Sequence, residues 1–206
     1  MGARPDTAAA TKGAQTRQAI LDAAIARFGR EGYRATSVAD IARDAGVGGT
    51  VAYAYFPNKE ALFLAAIDED ASGVMHDGLS SMSTDPGATD WRETLIFTLV
   101  AAVEGHPLAR RVLAGLEPEV TERVLEIPAL MELRKACVER IRTEQAAGTV
   151  RTDIDAVAIG NGVVSILLSL LMSVVQVGSG AAVTYGSDVA AVFAAALDPV
   201  PTSKRR

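Results

Sequence analysis

With 206 residues, 49% of them hydrophobic, and a mean hydropathy of +0.21, the chain has ample material for a buried core, which excludes wholesale disorder. Its single cysteine, Cys137, excludes an intrachain disulfide framework and a cysteine-built zinc site, and suits a reducing cytoplasm. The net charge of −5 excludes little, because it is unevenly placed: residues 1–60 hold eight Lys/Arg against six Asp/Glu, and the remainder twelve against nineteen. A mildly basic module on an acidic body is compatible with nucleic acid, since the field of the contacting face matters more than the total.

Alanine is abundant and alternating β-branched runs are scarce, so the expected fold is all-α. Residues 1–14 read as a disordered arm without the apolar core of a signal peptide. The first helix is predicted from about Gln15 to Arg30, with Ile20, Leu21, Ala24, Ile25 and Phe28 on one apolar face, and Gly32-Tyr33 ending it. Ser37 is placed to cap the second helix, with Asp40 in a capping-box-like position; Val38, Ile41, Ala42 and Ala45 face inward, and Gly46 stops the helix. A short third helix covers about Gly49–Tyr55 and breaks at Pro57-Asn58. Asn58 caps a fourth, whose Leu62, Phe63 and Ala66 point to the core.

Ser80–Asp90 is rich in turn formers and reads as a loop. Further helices are expected at about Trp91–Glu104, Pro107–Leu116, Pro118–Ala147, Ile154–Val177 and Ser187–Leu197, with Pro128 kinking or splitting the third of these. Residues 199–206 read as a disordered tail. No charged residue occurs between Asp155 and Asp188, and Ala156–Val177 is long enough to span a bilayer. However, Asn161, Ser165, Ser169 and Ser173 recur every fourth residue, and both flanks carry Asp rather than a basic residue. The expectation is therefore a buried helix of a soluble, cytoplasmic protein.

Two short helices joined by a glycine-containing turn over Thr36–Tyr55 have the shape of a helix-turn-helix DNA reader. The residues Ile20-Leu21-Asp22-Ala23-Ala24, Phe28, Gly32-Tyr33, Thr36-Ser37, Ile41-Ala42, Ala45-Gly46-Val47, Tyr53, Tyr55-Phe56 and Lys59-Glu60-Ala61-Leu62 resemble the N-terminal domain of TetR-family transcriptional regulators, over about the first third of the chain. The resemblance implies a three-helix helix-turn-helix DNA-binding domain (15–60) followed by a helical effector-binding and dimerisation domain (61–198). It implies a ligand-released repressor, a homodimer on a palindromic double-stranded DNA operator, with a small apolar or amphipathic effector and neither cofactor nor metal.

The DNA-contacting candidates are Thr36, Ser37, Gly48, Gly49, Thr50, Tyr53, Ala54, Tyr55 and Lys59. Lys59 offers a cation beside a helix N-terminus, a pairing that favours a phosphate. Ser37 is accounted for by capping alone as well as by DNA contact. Tyr53 reads first as a core ring with its hydroxyl at the rim, and Arg43 as a solvated charge. Arg4, Lys12 and Arg17 serve either as phosphate contacts or as solvated charges. Gly48, Gly49, Thr50, Val51 and Ala54 depart from the family, whose members often carry Ser, Arg or Lys, Gly, Thr and a larger side chain at these positions. Base discrimination is then expected to lean on backbone approach, Thr50, Tyr55 and DNA deformability.

A reading head of this size needs a dimer element, because two copies at fixed spacing bind one duplex far better than one. Asn161, Ser165, Ser169 and Ser173, with the small residues Ala190 and Ala194, mark the expected interface, and the resemblance implies a four-helix bundle there. Trp91, Phe97, His106, Met131, Arg134 and Cys137 supply apolar walls and polar handles for an effector site. An enzyme is not expected. Neither His76 nor His106 has a metal-ligand partner at i+3 or i+4, Cys137 lacks a nucleophile signature, Glu117–Glu126 read as a solvated acidic face, and GVGG is not a phosphate loop. The alternative is a helical small-molecule-binding protein that no longer binds DNA.

Overall fold

The computed structural model describes residues 6–82, 90–118, 122, 125–178 and 180–199. Among these residues the fold is all-α, with nine α-helices and no strand: α1 Asp6–Ala35, α2 Val38–Asp44, α3 Gly49–Tyr55, α4 Lys59–Met82, α5 Trp91–Ala102, α6 Pro107–Leu113, α7 Pro128–Ala147, α8 Ala156–Val177 and α9 Gly180–Leu197. Several sequence expectations change. Helix α1 begins at Asp6, so residues 6–14 of the expected arm are helical. The helix expected over Pro118–Ala147 is broken before Pro128, which opens α7 at the N-terminal position where proline's missing N–H is harmless; residues 119–121, 123 and 124 lie outside the described residues. Helix α9 starts at Gly180, seven residues before the expected Ser187. Helix α4 runs to Met82; residues 83–89 of the expected loop, Arg4 and residues 200–206 lie outside the described residues.

The chain divides into two compact units. The first holds residues 1–71 and 106–127; the second holds 72–105 and 128–206, and the boundary falls inside α4. Thus residues 61–71 and 106–127, read from sequence as part of the C-terminal domain, group with the helix-turn-helix.

In the first unit, Ile20, Leu21, Ala24 and Phe28 of α1 are fully buried with Ile41 of α2, Ala52 of α3, and Leu62 and Phe63 of α4. An aromatic triad completes this core: Phe28 and Tyr33 each meet the Phe63 ring edge-on at 5.1 Å, a favoured geometry for the ring quadrupoles. Two buried carboxylates join distant segments within the unit. Asp70 of α4 accepts from the Leu108 and Ala109 amides at the start of α6 (2.9 and 2.8 Å) and lies 3.0 Å from His106 Nδ1. His106 therefore has the structural role expected beside Pro107.

Glu117 is buried, which corrects its reading as part of a solvated face. It accepts from the Tyr33 amide at 3.1 Å and from Arg111 Nε at 2.6 Å. Both lie at Gly32, whose φ of 86° breaks α1 and whose missing side chain leaves room for the Arg111 and Glu117 heads. A residue 84 positions away thus secures the turn that feeds α2.

The second unit is built from the C-terminal half of α4 with α5, α7, α8 and α9. Helix α8 packs against α7 and α9 through Gly160, Val163, Val164, Leu167, Leu170, Leu171 and Val174. It is long and apolar enough to cross a membrane by length and composition (mean hydropathy 2.1), yet this face is buried in protein, as in the core helix of a globular domain. Asp155 caps α8 by accepting from the Ala158 amide at 2.8 Å.

Candidate nucleic-acid interface

The helix-turn-helix is fixed at each of its joints. Ser37 takes the extended backbone of an N-cap (φ −112°, ψ 152°), accepts from the Asp40 amide at 3.1 Å and donates to the Asp40 carboxylate at 2.6 Å. Asp40 also pairs with Arg43, whose side chain is exposed. At the other end of α2, Gly46 takes the left-handed conformation (φ 68°). The Gly46 and Val47 amides bond back to the Arg43 and Ala42 carbonyls at 3.1 and 2.9 Å, the paired bonds of a Schellman stop. Arg27 of α1 grips Asp44 through both carboxylate oxygens (2.6 and 3.2 Å), pinning the end of α2 to α1. These hydrogen bonds hold the Asp44 carboxyl below its ordinary value, against the opposing effect of burial.

Helix α3 follows with Gly48 as its N-cap, without a side-chain cap. Ala52 is buried and anchors it, Tyr55 is half-buried, and Thr50, Val51, Tyr53 and Ala54 face solvent. Tyr53 is 53% exposed, which corrects its reading as a core ring. Ala52 occupies the inward position, so the tyrosine after it must point outward. Thr36 is corrected in the opposite direction. It is 2% exposed and donates its hydroxyl to the Gly32 carbonyl at 2.8 Å, so it braces the turn and offers nothing to a duplex.

Lys59 opens α4, where Asn58 Oδ1 accepts from the Ala61 amide at 2.7 Å. Its ammonium lies 4.4 Å from the centre of the Tyr33 ring and 3.4 Å from the Arg34 carbonyl. The ring and carbonyl orient the cation but do not neutralise it, so it adds to the positive end of the helix. Arg17 lies over the Phe56 ring at 5.3 Å, and Lys12 is exposed. Ser37, Gly48, Thr50, Tyr53 and Ala54 are thus exposed on this one helix-turn-helix, with Gly49 and Tyr55 half-buried beside them and Lys59 half-buried at the start of the next helix. A polar cap, an uncharged helix face and a helix-end cation can place phosphates and present a narrow surface to a groove.

The six expected effector residues occupy different environments. His106 belongs to the first unit, and Met131 is 52% exposed. Trp91 and Cys137 are inside the core of the second unit. The Trp91 indole donates to Glu144 at 2.9 Å, and burial pushes the Cys137 thiol up to about 12, which leaves it unreactive. Phe97 and Arg134 are half-buried. Among the described residues no group of three or more His, Cys, Asp or Glu could hold a metal.

On α8, Asn161, Ser165 and Ser169 are exposed and Ser173 is half-buried; Ala190 and Ala194 of α9 are half-buried. Each serine hydroxyl donates to the carbonyl four residues earlier, at 2.9–3.0 Å. An open groove of about 250 Å³ runs along this region, lined by Ile166, Ser169, Leu170, Ser173, Tyr185, Asp188 and Val189. Sequence reasoning missed Tyr185 as part of this face because α9 begins before the expected start of that helix, and missed Asp188 although it falls within the expected helix.

Comparison with known proteins follows the same division. Residues 20–66 match the bacterial regulatory proteins of the tetR family. The HTH-type transcriptional repressor ComR of Escherichia coli (strain K12) is 46% identical over 52 residues, which span only 25% of this chain and 25% of ComR. Among solved structures, a TetR-family transcriptional regulator from Pectobacterium atrosepticum is similar with a TM-score of 0.70 at 18% identity, covering 95% of this chain and 98% of its own. The transcriptional regulator FadR from Bacillus subtilis, solved in complex with stearoyl-CoA, is similar with a TM-score of 0.68 at 19% identity, covering 85% and 96%. Residues 20–66 thus carry the match to the tetR family of bacterial regulatory proteins, and the fold around them is one that solved regulators of that family share.

Proposed function

We propose that this chain is a homodimeric transcriptional regulator of the cytoplasm that binds a palindromic DNA operator through α3. It represses by occupying that site until a small apolar or amphipathic effector releases it. The observation that carries the reading is the solvent-facing α3, set between the capped start of α2 and the Lys59 cation at the start of α4. Repression is in keeping with ComR, a transcriptional repressor, and an amphipathic effector with the stearoyl-CoA bound by FadR. In the second unit, Phe97 and Arg134 are the best placed of the candidate effector contacts, since both are half-buried.

The dimer element is the exposed face of α8 and α9. Ile166, Tyr185 and Val192 are 38%, 46% and 56% exposed on it, and the serine row between them is already hydrogen-bonded within its own helix. Such hydroxyls can be covered by a second copy without leaving a donor unsatisfied, so desolvation opposes association little. An effector that binds one spacing of the paired heads better than the other would shift the population that fits DNA.

The test is selection of bound fragments from a genomic or random duplex pool with the full-length protein. The expected outcome is a palindromic site. Lys59→Ala should weaken binding and reduce the salt slope by about 1, as loss of one phosphate contact requires. Ile166→Glu should yield monomers that bind far more weakly. A protein that is monomeric at micromolar concentration, or that ignores every duplex at low ionic strength, overturns the proposal. The uncharged face of α3 favours one second reading, a small-molecule binder that does not use DNA; such a protein would be indifferent to Lys59→Ala and Tyr55→Phe.

A further inference from the structure

The chemistry of α3 narrows what a half-site can look like. At about 100° per residue, Tyr53, Thr50, Ala54 and Val51 follow one another around a continuous arc of roughly 160°, with Thr50 and Ala54 at its centre. All four are exposed, and Ala52 holds the opposite side in the core. No side chain from Gly49 to Tyr55 carries a nitrogen or a carboxylate. The pairings that identify guanine, adenine or cytosine by bonds to the base edge need Arg or Lys, Asn or Gln, and Asp or Glu, respectively. None of these is on this helix. Three nearby cations start from other elements: Lys59 lies against the Tyr33 ring and Arg34 carbonyl, Arg17 over Phe56, and Arg43 pairs with Asp40.

The reading surface therefore offers methyl groups at its centre and on one flank, and a phenol on the other. The Thr50 hydroxyl can bond to any base and so distinguishes little, whereas its methyl does not. The only base-edge feature in the major groove that an apolar contact recognises is the C5-methyl of thymine.

We infer that α3 reads its operator through thymine methyl groups, with Ala54, Thr50 and Val51 as the specificity-determining side chains and Tyr53 positioned for the phosphate backbone. This rests on the DNA-binding reading above and names what that site recognises. Ala54 and the small residues before α3 let the helix approach closely enough for direct methyl contact, which a longer side chain at that position would prevent.

The experiment begins with the duplex selected by the full-length protein. Each thymine is replaced in turn by deoxyuridine, which pairs identically and lacks only the methyl. Binding should weaken about fourfold for each contacted methyl, the change expected for one apolar methyl returned to water. In the Val51→Ser protein, which removes both γ-methyls and leaves a hydroxyl, deoxyuridine at one position of each half-site should cost nothing. Ala54→Ser provides the same test at the centre of the arc and keeps α3 helical. If every deoxyuridine duplex binds as tightly as the thymine parent, the inference is wrong while DNA binding stands. A selected half-site whose strongest requirements are G·C pairs overturns it equally. Failure to select any duplex removes the DNA-binding reading itself, and this inference with it.

Discussion

The two units differ in what they bury: the buried polar side chains among the described residues, Thr36, Asp70 and Glu117, all belong to the first. Joints of the first are closed by directional bonds: the Ser37 cap, the Gly46 stop, the Arg27–Asp44 pair, and the buried Asp70 and Glu117 carboxylates on backbone amides. The second has directional bonds at its joints too, such as the Asp155 cap and the Trp91–Glu144 and Arg92–Asp198 contacts, but its described interior is filled by apolar side chains such as Val163, Val164, Leu167, Leu170 and Leu171 along α8. Hydrogen bonds specify angles and distances, whereas apolar burial specifies volume. A surface that must present atoms in register to a duplex calls for the first kind of fixing. A body that can accept many volume-conserving repackings calls for the second.

The largest effects should come from removing core rings. Phe63→Ala should cost the first unit about 3–5 kcal/mol, because two ring contacts and a filled site are lost together. Trp91, the only tryptophan, sits in the second unit and reports on it alone. A denaturant titration should show the far-ultraviolet helix signal of Phe63→Ala falling early while the Trp91 emission midpoint stays near the parent's. A common shift of both signals would mean that the units unfold together and that the contrast has no thermodynamic counterpart.

Asp70→Ala should come next, at about 1–3 kcal/mol for each amide left without its acceptor, since both are buried with it. Asp70→Asn keeps one carbonyl acceptor and should lose visibly less. Equal losses would show that the carboxylate's charge matters more than its bonds to Leu108 and Ala109. Ser37→Ala should cost about 1 kcal/mol through loss of the α2 cap. Its hydrogen-exchange signature should be confined to the first turn of α2.

The smallest effect should be the pH dependence of the Arg27–Asp44 pair. The folded Asp44 carboxyl titrates below its unfolded value, so its stabilisation is present above the unfolded value near pH 4 and is lost as pH falls through the folded one. Solvent screening keeps the effect small. Thermal melts of Asp44→Asn should lack this acid-side component, and a parent-like acid profile in that variant would assign it to other carboxylates.

Much of the reading head was legible in the sequence because its signals are local. Ser37 with Asp40, Gly46, and Asn58 with Lys59 each act on backbone groups within a few residues, so spacing alone reports them. Tyr53 and Thr36 were misplaced because the facing of a seven-residue helix and the burial of a turn hydroxyl depend on what packs against them. Glu117 gave no signal, since its partner amide lies 84 residues away and a surface glutamate looks the same in one dimension. The expected effector residues range from core to exposed for a related reason: apolar composition does not report which side of a helix meets the core.

The amino-acid sequence by itself determined the all-α class, the helix-turn-helix and its stops, because periodicity, caps and left-handed glycines act over one or two turns. Only the tertiary structure decided that His106–Ile127 joins the reading head, that Asp70 and Glu117 are buried, and which α3 side chains face out. Those outcomes depend on long-range packing, where a residue's environment is set by segments far away in the chain.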